Sequence, residues 1–351
     1  MGGRTANDCV IEVNNVKKYY TRKAQKRATR WSILTKEKVK SVDGVSFTMN
    51  EGEVLGVVGE SGCGKSTLGK VLVNLESLSE GTVNIRGVNS DSLLKSNQRS
   101  FRKRVQIIFQ NPFDTFDPRY TIEKILLNVM RLHSIEKSRD DRRMKCIEML
   151  ENAGLTPAKE FMRRYPHELS GGQLQRISIL RSMLLKPDFL VADEPVSMLD
   201  VSVRADIMNM LKNVCKIQKT AMVFISHDLA ATRYIADRIA VMYLGRIIEI
   251  GSTEEILQNP QHPYTKALIS NSMDLDEDIQ NKSVIYLKGE PPTPVNTGPG
   301  CYFAPRCPIR QASCSVQYPE VRTVSNHHEV YCPYGTDELE NQSYQLRSDG
   351  S

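Results

Sequence analysis

The sequence predicts an α/β fold in which a largely parallel sheet carries a phosphate-binding loop (P-loop), with a helical insertion and a small cysteine-rich C-terminal extension. Three observations predict it. The apolar, strand-like run Val54–Val58 leads directly into Gly59-Glu60-Ser61-Gly62-Cys63-Gly64-Lys65-Ser66-Thr67. A second apolar run, Phe189–Ala192, ends on the adjacent carboxylates Asp193 and Glu194. Between the two, apolar residues recur at helical spacing, at Ile122, Ile125, Leu126 and Val129 and again at Met144, Ile147 and Leu150.

Met1–Asp8 is polar and lacks the apolar core of a signal peptide, and no run approaches the ~20 apolar residues that span a bilayer. This places the chain in the cytosol, held at a membrane only through others. Its 351 residues suffice for one large core plus a smaller region. The net charge of +6 is partly concentrated in a basic insertion over 21–40 that holds the only tryptophan, Trp31. That segment reads either as a solvated loop or as a surface for anionic headgroups or acidic loops of a membrane partner. No recognition motif accompanies the charge, so nucleic acid is not an expected partner.

Residues 40 to about 110 are expected to hold the first strands and the phosphate loop. The loop fits G-x-x-x-x-G-K-[ST] after a strand and before a helix, the context this motif requires. Its glycines, Gly59, Gly62 and Gly64, let the backbone bend, so that N–H groups including those of Ser61 and Cys63 turn toward phosphate oxygens at a helix N-terminus. Lys65 would neutralise the β- and γ-phosphates, Ser66 would place its hydroxyl on Mg²⁺, and Thr67 would lie near the α- and β-phosphates. Phe189–Ala192 has the uniform apolarity of a central parallel strand, and ligands collect at the carboxyl edge of such sheets. Asp193 there would hold Mg²⁺ through its water shell, and Glu194 would act as the general base toward water. The plainer readings are a structural turn and a surface acid.

A helical subdomain is expected over about 111–180, and Leu169-Ser170-Gly171-Gly172-Gln173 opens its last helix. Strands then return at Ala221–Ile225 and Ile239–Tyr243, followed by the turn Leu244-Gly245-Arg246. The first domain is expected over 1–255, the extension over 256–351.

Together the phosphate loop, the Ser170–Gln173 segment and the Asp193-Glu194 pair resemble the ATP-binding subunits of ABC transporters over about residues 20–255. The resemblance implies an ATPase whose cofactors are ATP and Mg²⁺. It implies that Gln110 reaches Mg²⁺ and the attacking water, that His227 meets the γ-phosphate, and that Asp200 closes the loop after Ser197. Met198 stands where the family more often has Ala. Tyr20, ending a strand, matches the residue that stacks on adenine, with Tyr19 as its competitor. Ser170, Gly171, Gly172 and Gln173 would serve the nucleotide of a second subunit across a head-to-tail dimer.

Asn259-Pro260-Gln261-His262-Pro263-Tyr264-Thr265 and Tyr165-Pro166-His167-Glu168 narrow the resemblance to oligopeptide and dipeptide importers. That implies a peripheral protein on the inner face of the cell membrane. Its partners would be a second, nonidentical ATPase, two transmembrane permeases and, indirectly, an extracytoplasmic binding protein. A soluble ABC ATPase acting on nucleic acid or ribosomes is the alternative. His262 beside Pro263 reads as a turn residue.

Cys301, Cys307, Cys314 and Cys332 form a C-x5-C-x6-C-x17-C array, while the other four cysteines are scattered. Clustered thiols in a cytosolic chain point to metal, yet the C-x2-C knuckles of structural zinc sites are missing. From the residues, an iron–sulfur cluster, zinc and no metal all stay open. The resemblance to peptide importers implies a 4Fe-4S cluster on these four positions.

Overall fold

The first strand begins well ahead of the phosphate loop. A computed structural model of the chain describes residues 9–23, 36–272 and 285–335, the last stretch without 286, 288, 291 and 296. Most of the basic insertion, 24–35 with Trp31, lies outside the described residues. Strand β1 (Cys9–Lys23) pairs antiparallel with β2 (Lys36–Asn50) from Cys9 opposite Asn50 to Lys23 opposite Lys36. This corrects two expectations. The first strands do not wait until residue 40, because Val10, Ile11, Val13 and Val16 are buried in β1. Nor does Tyr20 end its strand: Thr21 and Arg22 continue it opposite Lys38 and Glu37, so the described ends of the basic insertion are strand. Cross-strand neighbours supply this pairing, and a window on one segment does not contain them.

After β2, β3 (Val54–Val58) passes into a second sheet and leads through the phosphate loop to helix α1 (Lys65–Leu72). The chain then returns as β4 (Glu80–Ile85) and β5 (Val88–Asn89), giving a four-stranded antiparallel sheet in the order β2-β1-β4-β5. Two short helices follow, α2 (Ser90–Ser96) and α3 (Gln98–Arg104), each capped by an asparagine side chain, Asn89 and Asn97. Strand β6 (Val105–Ile108) then enters the second sheet and ends just before Gln110.

Helices α4 (Ile122–Leu132), α5 (Arg139–Asn152), α6 (Ala158–Arg163) and α7 (Gly171–Met183) occupy the chain between β6 and the next strand. Thr121 and Ser138 cap α4 and α5 by accepting from Lys124 N and Asp141 N. Ile122, Leu126 and Met130 of α4 meet Leu150 of α5, Met162 of α6 and Leu174 and Ile177 of α7 in a core of their own. Met144, placed by its spacing on the apolar face, is instead 66% exposed. The other side of α7 gives Ile179 and Met183 to the core beneath the sheet, so this one helix joins the two cores.

Strand β7 (Phe189–Asp193) is followed by α8 (Val201–Gln218), β8 (Ala221–Ile225), α9 (Leu229–Ile235), β9 (Arg238–Tyr243) and β10 (Arg246–Ser252). β3 lies parallel between β8 and β9, and β7 lies parallel between β8 and β6. Every residue of β3, β7 and β8 is buried, as strands covered on both faces require. Leu244 and Gly245, both at positive φ, turn β9 back into β10.

Beyond α10 (Thr253–Gln258) and α11 (Pro263–Ser270), the hairpin β11 (Arg322–Ser325) and β12 (His328–Val330) adds to the edge of β10. The eight-stranded order is β11-β12-β10-β9-β3-β8-β7-β6. The fully buried Glu249 carboxylate anchors this addition, accepting from Gln261 N at 2.6 Å, His262 N at 2.9 Å and bonding the His328 ring at 2.7 Å. His262 caps α11 through Nδ1, which accepts from Tyr264 N. Burial pulls its pKa down to about 4, against the pull of Glu249, so the ring is neutral.

Candidate functional site

The phosphate loop bends between β3 and α1 on residues that a side chain would obstruct. Gly64 has φ +106°, and a Cβ there would stand 2.0 Å from the Ser41 carbonyl oxygen of β2. β2 therefore borders the loop. Gly59 and Gly62 are also at positive φ, and Ser61 and Gly62 are exposed at the rim. Lys65 is buried, with Nζ donating to the Gly59 carbonyl at 2.7 Å and the Glu60 carbonyl at 3.0 Å. The ammonium thus sits inside the curl where phosphate oxygens would replace those carbonyls. Cys63 is a buried thiol whose pKa burial raises. Thr67 is half-buried in the first turn of α1.

Ser66 Oγ donates to Asp193 Oδ1 at 2.9 Å, joining the loop to the end of β7. Burial pushes the Asp193 carboxyl above its ordinary value; the Ser66 bond opposes the shift and the adjacent Glu194 charge adds to it. A buried carboxylate beside a hydroxyl is a donor set that suits a hard cation such as Mg²⁺, whose charge would offset that burial.

The next residue turns away from the strand. Glu194 has φ +47°, a left-handed conformation for a residue with a Cβ, and its N–H donates to the Ile225 carbonyl at 2.9 Å. Strain of this kind persists where neighbours hold it, commonly at functional sites. Gln110 Nε2 donates to Glu194 Oε2 at 3.0 Å and to Ser197 Oγ at 3.3 Å. His227 Nδ1 lies 3.2 Å from Glu194 Oε1. Gln110, Glu194 and His227, from three segments far apart in sequence, meet beside the Ser66–Asp193 pair.

Ser170 caps α7 in a reciprocal capping box: its Oγ accepts from Gln173 N at 3.3 Å, and Gln173 Oε1 accepts from Ser170 N at 3.1 Å. That pairing is local, and among the described residues no hydrogen bond ties these two side chains to the phosphate loop. Gly171 and Gly172 continue the helix, and Gly172 is required by packing, since a Cβ would stand 2.8 Å from Val203 Cγ1 of α8. Asp200 occupies the N-cap position of α8 with its side chain exposed. Met198 is 62% exposed, so its bulk does not disturb the loop, and the neighbouring Leu199 is the buried residue.

Tyr20 presents a ring that is 37% exposed, with the Lys18 ammonium 5.0 Å from its centroid. Tyr19 is otherwise engaged, because its hydroxyl donates to Asp43 Oδ1. Tyr20 lies opposite Val39 of β2, two residues before Ser41, whose carbonyl a Cβ on Gly64 would meet.

Cys301, Cys307, Cys314 and Cys332 line one cavity of about 350 Å³ together with Phe303, Ile309, Tyr318 and Tyr331. All four are free thiols. Burial pushes Cys301 up to about 11 and Cys307 up to about 12, and raises Cys332. Among the described residues, no three His, Cys, Asp or Glu side chains are gathered closely enough for a single metal ion.

Several residues of the site carry no motif. Gln175, buried in α7, donates to the Pro195 carbonyl at 2.9 Å and so links the Ser170–Gln173 helix to the residue after Glu194. Ser197 holds Gln110, and Glu60 of the loop is gripped by Arg306 and Tyr264. The one available signal was Glu60, an acid inside a loop built for anions.

Fold and site define a P-loop ATPase of the ABC type. Residues 42–197 match the ABC transporter family model, and 248–314 match the oligopeptide/dipeptide transporter C-terminal region. The chain is 41% identical to the oligopeptide transport ATP-binding protein AppF of Bacillus subtilis, over 93% of this chain and 97% of AppF. It is 43% identical to the dipeptide transport ATP-binding protein DppF of Haemophilus influenzae, with the same coverage. Among solved structures, the dimeric ATP-binding cassette MJ0796 bound to ADP and Pi superposes with a TM-score of 0.59 at 26% identity, covering 69% of this chain and 98% of that one. The chain belongs to the family of ATP-binding proteins of oligopeptide/dipeptide ABC transporters.

Proposed function

We propose that this chain is the ATP-hydrolysing subunit that powers import of di- or oligopeptides through a heteromeric ABC transporter. The observation that carries the reading is the meeting of Gln110 and His227 on Glu194, beside the Ser66–Asp193 pair. The loop Gly59–Thr67 binds the triphosphate, with Lys65 exchanging its two carbonyl partners for phosphate oxygens. Ser66, Asp193 and Gln110 would hold Mg²⁺, which would supply charge neutralisation at the phosphates. Glu194 accepts the proton of the attacking water, Gln110 orients that water, His227 meets the γ-phosphate, and Tyr20 stacks on adenine.

The Ser170–Gln173 segment completes the site of a second, nonidentical ATPase, whose own segment closes over Lys65 with Asp200 at the joint. Residues 1–255 form the nucleotide-binding domain, with 111–180 as the helical subdomain that moves with closure, and 256–351 form the extension. The assembly includes two transmembrane permeases and receives peptide from an extracytoplasmic binding protein, with this chain peripheral on the inner face. Among the described residues no helix is long and apolar enough to cross a membrane, so attachment through partners suits the chain. Solubilisation in detergent should bring down two permeases and a second ATPase with this chain, and the chain alone should show ATP turnover that rises with its concentration. Recovery with ribosomes or nucleic acid in their place would favour the soluble alternative.

The four thiols line one cavity of about 350 Å³, and soft thiolates are the ligands that iron–sulfur clusters take. That volume is far larger than the space of about 10–15 Å³ that one water-sized probe needs. Buried thiols with raised pKa stay protonated at neutral pH unless a cationic group takes the proton's place. Cys301, Cys307, Cys314 and Cys332 would hold a 4Fe-4S cluster, which would supply a covalent tie across the extension. Anaerobically purified protein should then contain iron and acid-labile sulfide in equal amounts, about four of each per chain on this cluster formula. Zinc alone would refute the cluster.

A further inference from the structure

Glu60 is the only acid in the phosphate loop. Its carboxylate is held in a fork by Arg306, with Nη1 to Oε2 at 2.8 Å and Nη2 to Oε1 at 3.1 Å. Its backbone N–H donates to the Tyr264 hydroxyl at 2.9 Å. The Arg306 side chain is almost wholly buried, and its guanidinium lies 6.0 Å from the centre of the Tyr243 ring. Both grips on Glu60 therefore come from the part of the chain beyond β10. A third contact from the same segment reaches the strands beside the loop. Tyr302 donates to Asp43 Oδ2 at 2.5 Å, and Lys40 Nζ donates to Tyr302 at 3.1 Å.

We propose that Arg306, supported by Tyr264, is a positioning residue for nucleotide binding, through which the C-terminal segment sets the affinity of the phosphate loop. Resting on the reading of Gly59–Thr67 as the nucleotide loop, the proposal extends it to a segment outside the ATPase motifs. Charge is what this clamp manages. A carboxylate in a loop that must receive a triphosphate repels it, and burial strengthens that repulsion. Arg306 cancels the charge with a planar fork that also fixes where Glu60 points. Tyr264 fixes the same residue through its main chain, so side chain and backbone of Glu60 are both held from outside the loop. Tyr302 directly follows Cys301 and Arg306 directly precedes Cys307, so each is the sequence neighbour of a thiol that lines the cavity.

The test is equilibrium binding of a fluorescent ATP analogue with Mg²⁺ to the full-length chain. Arg306→Ala should weaken binding about tenfold, the scale of one uncompensated charge near the phosphates. Arg306→Lys should recover part of the loss, since it keeps the charge without the fork. Glu60→Gln alone should bind at least as tightly as wild type. The double variant Glu60→Gln/Arg306→Ala should return to within about threefold of wild type, because the charge to be cancelled is gone. Wild-type affinity in Arg306→Ala would overturn the proposal. So would a loss that Glu60→Gln fails to relieve, which would mark Arg306 as a prop for the C-terminal fold alone. Lys65→Ala is the control: if it binds the analogue as wild type does, the nucleotide-loop reading falls and the clamp with it.

Discussion

Replacing Glu194 with glutamine should lower ATP turnover in the assembled transporter at least about a hundredfold while ATP affinity changes by less than about threefold. The substitution keeps the side chain's shape and its ability to bond, so the strained turn at φ +47° and the contacts to Gln110 and His227 have no steric reason to fail. What it removes is a proton acceptor. Lys65 and the Ser66–Asp193 pair, which hold the nucleotide in this reading, are untouched. The two quantities are separable by measuring single-turnover hydrolysis and equilibrium binding on the same preparation. Turnover that survives at the wild-type rate would mean another group takes the proton.

Asp43→Asn should destabilise the chain by about 3 kcal/mol, the scale of removing a buried charge with charged hydrogen bonds. The Asp43 carboxylate is buried and serves four partners at once: the hydroxyls of Tyr19 and Tyr302, Arg246 through Nε at 3.1 Å and Nη2 at 3.0 Å, and the Lys40 ammonium at 3.6 Å. The amide leaves the Arg246 charge unmatched beneath the rings of Tyr302 and Tyr318. Burial works against the carboxylate's charge, but the two hydroxyls and the guanidinium outweigh it and hold its pKa down, at about 2. A folded-state value below the ordinary 3.8 stabilises the folded form at every pH above 3.8. That contribution fades as pH falls from 3.8 through about 2. Thermal unfolding of wild type and variant should therefore differ most above pH 4 and converge below it. A gap that stays constant down to pH 2 would show that the charge is not what Asp43 contributes.

Legibility in the sequence follows from how far apart the partners are. The phosphate loop was readable because strand, glycines, lysine and serine are contiguous, and local backbone chemistry alone shapes them. β3 and β8 begin and end where their apolar runs do, since strands covered on both faces carry no polar residues to blur their limits. The capping box of Ser170 and Gln173 is equally local. The limits of β1 escape the sequence for the opposite reason: its amphipathic, cation-rich stretch makes sense only beside β2 and β4. Met144 shows the limit of periodicity, which indicates a helix but not which residues of its stripe find a neighbour.

The sequence by itself determined that a triphosphate loop exists, that carboxylates end a buried strand, and that four thiols gather near the C-terminus. Each rests on residues close together in the chain, where spacing and residue type decide the chemistry. Only the tertiary structure decided which of them meet. Gln110 and Glu194 are 84 positions apart, and Glu60 and Arg306 are 246 apart. No spacing rule reaches that far. The parallel sheet carries Gln110, Glu194 and His227 to one edge, and the addition of β12 to β10 anchors the C-terminal segment whose Arg306 grips the phosphate loop. The pairing of these charges is a property of the folded chain, and the affinity of the loop for ATP is expected to depend on it.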